Sequence, residues 1–353
     1  MKLQFDTSKK YAVALEGGGA RGAYQVGAWR ALKENGVEFS AVAGSSVGAL
    51  NGAMMTMDDL LLAEDLWSNM SFSKIMDVDD TTMHTLFSGK ILELDIKNLS
   101  TGIKRVFKEK GFDVTPLKNL IRSTVDPEKI RNSPIDFYIC THSLTEKKGL
   151  ELLARTLSDE ELCDMLLASA YFPAFKNEPL GGKRYTDGGV SNVLPLSPLI
   201  SAGHRDIIAI RLYGLGVEKK VKIPKGTTVT EIAPRHDLGN MLNFDAASCS
   251  RNFSLGYFDA MRLLYGLYGS EYYFDRTLTE SDAYDILCDL VKDKDEDLTL
   301  RALHDRLHKF TKDSGSKGDY YDVLVAYMEQ TAKRKKINPL HICTDTGMLS
   351  KLK

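Results

Sequence analysis

The chain has 353 residues, 43% apolar and 27% charged, which excludes a disordered or collagen-like protein. Its 46 Lys and Arg against 48 Asp and Glu leave a net charge of -2, too balanced for nucleic-acid binding through bulk electrostatics. Five cysteines (Cys140, Cys163, Cys249, Cys288, Cys343) are odd in number, far apart and without a CxxC pair, so neither a disulfide framework nor a structural zinc site is expected.

Met1 to Lys10 is polar and has no apolar signal-peptide core, so the expected location is cytoplasmic, with peripheral contact to membranes left open. Tyr11 to Leu15 is a short apolar run closed by Glu16 and three glycines, the pattern of a buried strand. Gly22 to Asn35 spaces Tyr24, Val26, Ala28, Trp29 and Leu32 roughly as a helix, with Asn35-Gly36 as its stop. Phe39 to Met57 carries no charge and is about as long as a membrane span. Its density of Gly and hydroxyl side chains fits a strand (Phe39 to Ala43), a turn and a helix better than a lipid-facing segment.

Strand, helix, strand and helix joined by short turns define a parallel α/β sheet. Met57 to about Ile130 reads as mostly helical, with a less ordered middle from Asp77 to Lys90. Asp136 to His142 reads as a strand, with Glu151 to Ala154 as a hairpin partner across Glu146-Lys147-Lys148-Gly149. A helix is expected over Asp159 to Ser169, a strand over Asp206 to Leu212 and a buried helix over Leu255 to Tyr268. The composition shifts after about residue 270. Asp293 to Asp297 is a charged run, Leu300, Leu303, Leu307 and Phe310 repeat at helical spacing, and Asp313 to Gly318 reads as a linker before a last helix through Leu324, Tyr327 and Met328. The expected division is a main domain over residues 1–270 and a helical extension over 271–353 packed on it.

Two glycine-rich turns carry chemistry. Gly17-Gly18-Gly19-Ala20-Arg21-Gly22 lies between a strand and a helix, where backbone N–H groups stabilise negative charge. It satisfies GxGxxG, but a dinucleotide site needs an acid at the end of the second strand, and Ala43-Gly44 supplies none; Glu38 precedes that strand. Gly44-Ser45-Ser46-Val47-Gly48 is GxSxG at a strand-to-helix turn, the context in which a nucleophilic serine projects from a strained backbone. The competing reading makes Ser45 and Ser46 helix-capping groups. None of the seven histidines (His84, His142, His204, His236, His304, His308, His341) stands in a triad context. The better candidate base is Asp187 in Tyr185-Thr186-Asp187-Gly188-Gly189; the competing reading is an Asp-Gly hairpin turn.

The ordered trio of glycine loop, GxSxG and Asp-Gly-Gly resembles the patatin-like phospholipase family, as do Ala168-Ser169-Ala170-Tyr171-Phe172-Pro173 and Asn192-Val193-Leu194-Pro195. The resemblance spans about Lys10 to Tyr213. It implies a three-layer α/β/α sandwich with a mainly parallel central sheet, and a lipid acyl hydrolase needing no metal or cofactor. In that reading Ser46 is the nucleophile and Asp187 the base. The loop from Gly17 through Gly22 forms the oxyanion hole, with the N–H groups of Gly18 and Gly19 as best candidates and Arg21 orienting the loop. Glu16 departs from the Asp common at that position in the family. An aspartate base also implies activity below the ordinary histidine pKa of about 6.5.

The implied partner is a lipid or acyl-ester substrate at a membrane or micelle surface, with no nucleic acid and no transmembrane segment. Leu255, Phe258, Met261 and Leu264 are candidates either for an acyl groove or for simple core packing. Two other functions compete: a nucleotide-binding protein using the Gly17 to Gly22 loop, and a membrane-recruited lipid-binding module. The latter would use Lys219-Lys220 with Lys222 and Lys225, or Lys333-Arg334-Lys335-Lys336.

Overall fold

The computed structural model describes residues 1–81, 83, 111–292, 301–302, 305 and 319–352. Most of the Asp77 to Lys90 stretch lies outside the described residues, as do the run from Asp293 to Asp297, the repeat at Leu300, Leu303, Leu307 and Phe310, and the linker at Asp313 to Gly318. The chain divides into two compact units, residues 6–260 and residues 1–5 with 261–353. The division falls inside the helix Ala246–Tyr265, ahead of the composition shift after residue 270.

The first unit is built on strands β1 (Lys10–Leu15), β2 (Glu38–Ser45), β3 (Asp136–Ser143), β4 (Lys148–Leu153), β5 (Tyr185–Thr186), β6 (Asp206–Ile210) and β7 (Thr228–Ile232). Their order is β4-β3-β2-β1-β6-β7, with β5 pairing β3. From β3 through β7 the neighbours run parallel, while β4 and β5 are antiparallel to β3. Helix α1 (Ala23–Glu34) follows β1 after the glycine loop and a 3-10 turn (Gly19–Gly22), and α2 (Val47–Thr56) follows β2 after Ser46.

Side-chain alternation assigns the two faces of the sheet. Val13, Val42, Phe137 and Ile208 are in register across four strands. They share the α2 face, where Gly52 comes so close that a Cβ there would meet Phe137 at 2.7 Å and Val42 at 3.1 Å. Ala12, Ala14, Ala41, Ala43, Ile207 and Ala209 point the other way and pack against Leu194, just ahead of the helix Leu196–Ser201, and Leu199 within it. Both faces are covered, which gives a three-layer α/β/α arrangement and explains why β1 and β6 read as continuous apolar runs.

Several expectations change. The second strand begins at Glu38, which pairs with Lys10 at the end of the strand remote from the glycine loop. The hairpin partner begins at Lys148, three residues earlier than expected. The buried helix begins at Ala246, nine residues earlier than expected. In the second unit, helices Glu280–Lys292, Tyr320–Arg334 and Asp345–Leu352 accompany a parallel pair, β8 (Tyr273–Asp275) and β9 (Ile342–Thr344). Phe274, Leu287, Tyr321, Leu324, Met328 and Met348 form its core. The helix through Leu324 and Met328 is therefore followed by a further one.

Candidate active site

β2 ends where Ser45 faces Cys140 of β3, and the chain turns into α2 through Ser46. Ser46 has φ 54° and ψ −128°, a strained backbone for a residue with a Cβ. The flanking glycines make that turn sterically feasible. A Cβ on Gly44 would lie 2.2 Å from the Gly48 carbonyl oxygen, and one on Gly48 would lie 2.3 Å from that of Leu15. Ser45 is the buried last residue of the strand and caps no helix, so Ser46 alone is presented.

The partner arrives by sheet topology. Where β2 leaves the sheet, β5 takes over the same side of β3, with Thr186 opposite His142, and runs back toward Cys140. Asp187 is the next residue and so lands beside the turn. Ser46 Oγ donates to Asp187 Oδ2 at 2.6 Å, while Gly189 N–H donates to Asp187 Oδ1 at 2.8 Å. A Cβ on Gly188 would lie 2.2 Å from the Cys140 carbonyl oxygen, so the glycine permits this close approach. Burial raises the Asp187 carboxyl to about 6, against the opposing hydrogen bonds from Ser46 and Gly189. Its carboxylate is thus a stronger base than an ordinary aspartate and still ionised at neutral pH.

The glycine loop lies against the same site. Gly17, Gly18 and Gly19 line the cavity beside Ser46. Gly17 N–H donates to the Val193 carbonyl at 3.0 Å, which removes it as an oxyanion donor. Neither Gly18 N–H nor Gly19 N–H has an acceptor among the described residues. Gly19 has φ +57° and its Cβ position is occupied by the Met241 carbonyl, so it must be glycine. Arg21 binds the carbonyls of Leu212, Tyr213 and Gly239, tying the loop to two other segments from outside the cavity. Gly22 lies outside the cavity too; a Cβ there would strike Val47 and Trp67, so its role is packing. Glu16 is buried and accepts from Arg211 Nε and from the N–H groups of Leu212 and Tyr213. The longer acid in place of Asp therefore has a full set of partners.

The cavity above Ser46 encloses about 1140 Å³, including its open mouth. Leu50, Met54, Leu66, Trp67, Leu117 and Ile121 form much of its wall. Among its described lining residues Asp187 is the one charged side chain, and none is histidine, lysine or arginine. Asn51 is already committed to Gly22, Gln25 and Trp67, and Thr124 to Leu120. Among the described residues, the polar groups left for a ligand are Ser46, Asp187 and the two loop N–H groups. Leu255, Phe258, Met261 and Leu264 are not among the lining residues; three of the four are buried in packing.

Ser169, in the stretch that carries the family resemblance, is a site residue that residue types and spacing alone do not single out. Its hydroxyl accepts from Ser46 N–H at 2.9 Å and donates to the Cys140 carbonyl at 2.6 Å. Two residues on, the Tyr171 carbonyl accepts from Asp187 N–H at 2.9 Å. One short segment therefore holds both members of the Ser46–Asp187 pair.

Residues 13–200, more than half of the chain, match the family model described as patatin-like phospholipase. The chain belongs to that family. An uncharacterised NTE family protein of Mycobacterium tuberculosis is 25% identical over 61% of this chain and 52% of its own length. Patatin-like phospholipase domain-containing protein 7 of Rattus norvegicus is 26% identical over 58% of this chain and 14% of its own. Lysophospholipase nte1 of Aspergillus terreus is 44% identical over 50 residues, 14% of this chain and 3% of its own. The chain thus spans about half the length of the mycobacterial relative and a small part of the other two. Among the described residues no helix is long and apolar enough to cross a membrane.

Proposed function

We propose that the protein is a serine carboxylic-ester hydrolase acting on lipid acyl esters through an acyl-Ser46 intermediate. The observation that carries this reading is the 2.6 Å hydrogen bond from Ser46 Oγ to a buried, base-strengthened Asp187 at an apolar cavity. Asp187 accepts the hydroxyl proton as Ser46 Oγ attacks the acyl carbonyl carbon. The oxyanion forms toward the N–H groups of Gly18 and Gly19, donors of a kind worth about 3 kcal/mol each. The ester C–O bond then breaks, and Asp187 returns the proton to the leaving alcohol. Water attacks the acyl-serine with Asp187 again as base, releasing the fatty acid and restoring the Ser46 hydroxyl.

The wall of the cavity suits an acyl chain and, among the described residues, offers no cation to a phosphate, which favours a head group outside the mouth. A relative named as a lysophospholipase agrees with such a substrate. The nucleotide-binding alternative lacks an acid at the end of β2 for the ribose and, among the described lining residues, a cation for phosphate. The test compares fatty-acid release from lysophospholipid and phospholipid micelles with hydrolysis of short soluble acetyl esters. Micellar substrates are expected to be preferred, and activity confined to acetyl esters would contradict the proposal.

A further inference from the structure

β6 and β7 are parallel neighbours, a connection usually made by a helix. Here the intervening residues 211–227 form no helix or strand. A connection of this length without secondary structure of its own is commonly functional. Four of the eleven large apolar side chains exposed among the described residues belong to it: Tyr213, Leu215, Val217 and Ile223. Leu215 is 79% exposed and also lines the Ser46 cavity. Val217 N–H donates to the Gly189 carbonyl and the Val217 carbonyl accepts from Val193 N–H, each at 2.8 Å. The apolar stretch is therefore fastened to the loop that carries Asp187, at the rim of the cavity.

The same segment is cationic. It holds Lys219, Lys220, Lys222 and Lys225 beyond Arg211, against Glu218 alone. Glu218 is engaged by Arg211, and Lys219 pairs with Glu151. Lys220, Lys222 and Lys225 are exposed and have no partner among the described residues. Exposed apolar side chains interleaved with unpaired lysines are complementary to an anionic lipid surface, where the apolar groups enter the interface and the lysines meet head-group phosphates. In the other basic run two of the four cations are engaged: Lys333 pairs with Glu271, and Lys335 donates to the Leu352 carbonyl.

We propose that residues 213–225 are the docking element that seats the cavity mouth on an anionic lipid bilayer. This rests on the lipid-ester reading of the site and adds the kind of surface from which the substrate enters. Lysines near such a surface contribute roughly fivefold each, so neutralising three should weaken binding on the order of 100-fold.

The experiment measures co-sedimentation of the full chain, carrying Ser46→Ala to prevent turnover, with phosphatidylcholine vesicles with or without phosphatidylserine. Binding is expected only with phosphatidylserine and should weaken as salt rises. Lys220→Gln/Lys222→Gln/Lys225→Gln should lose about 100-fold in affinity, and Ile223→Asp should weaken binding at unchanged lysine charge. Lys333→Gln/Lys335→Gln should bind as the parent does. Absence of vesicle binding by the parent, or a lysine triple variant that binds equally well, overturns the proposal. Hydrolysis of a short soluble ester by the triple variant in an otherwise native chain should match the unmodified protein, which also verifies its folding. Failure of the underlying reading has a separate signature: soluble-ester hydrolysis that survives Ser46→Ala, whatever happens on vesicles.

Discussion

Asp187 lies beside Ser46 with one carboxylate oxygen accepting from the Ser46 hydroxyl and the other from the N–H of Gly189 in its own turn. Asp187→Asn keeps the shape and removes the base, so kcat should fall by about 10²–10⁴-fold. The raised carboxyl also sets the pH dependence. A base must be unprotonated to work, so kcat/KM should fall as pH drops through about 6 and level off above it. This narrows the expectation of activity below the histidine range, because an acid limb near 6 is also what histidine would give. The histidine substitutions described below therefore discriminate better than a pH profile. Ser169→Ala removes the acceptor for Ser46 N–H and the donor to the Cys140 carbonyl. Each orphaned buried group costs about 1–3 kcal/mol. Melting temperature and kcat should both drop, with KM nearly unchanged; an unchanged kcat would mean that Ser169 does not position the nucleophile.

At the scale of elements, the turn between β2 and α2 depends on backbone proximity more than on side chains. Gly48→Ala would force a Cβ against the Leu15 and Glu16 carbonyls, neither of which can swing aside. Strain of this kind costs roughly 1–3 kcal/mol or more, so the variant should melt earlier and lose activity in urea at lower concentration. Parental stability would show that the turn can relax.

The strands forming this turn can be read from the sequence because a strand buried on both faces is a continuous apolar run. β5 is two residues long, and β7 (Thr-Val-Thr-Glu-Ile), at the edge of the sheet, carries only two apolar residues, so neither announces itself. The same limit applies to the cavity. Periodicity identifies Leu255 and Leu264 as buried, but both a void and a neighbouring side chain accept an apolar face. Only tertiary packing separates them from Leu50 or Leu117. The glycine loop is visible as a motif, whereas the loss of Gly17 N–H to Val193 depends on a segment about 176 residues later (193 − 17).

For the molecule as a whole, four elements distant in sequence converge on one point: the loop after β1, the turn after β2, the segment after the helix Asp159–Ser169, and the loop after β5. The sheet order β3-β2-β1-β6 places their C-terminal ends together, where ligands bind in open α/β sheets. The order of the motifs along the chain is therefore a consequence of strand order, and a trio of individually common patterns identifies a family because it encodes that convergence.

Whether Ser46 attacks with Asp187 and no histidine as its base is decided by fluorophosphonate labelling with peptide mapping. The assay covers the parent, Ser46→Ala, Ser45→Ala, Asp187→Asn and each of the seven His→Ala variants. A single modified peptide carrying the label on Ser46 is expected. Labelling should be lost in Ser46→Ala and strongly slowed in Asp187→Asn, but retained in Ser45→Ala and in every histidine variant. Label on Ser45, label surviving Ser46→Ala, or a folded histidine variant as slow as Asp187→Asn would contradict it.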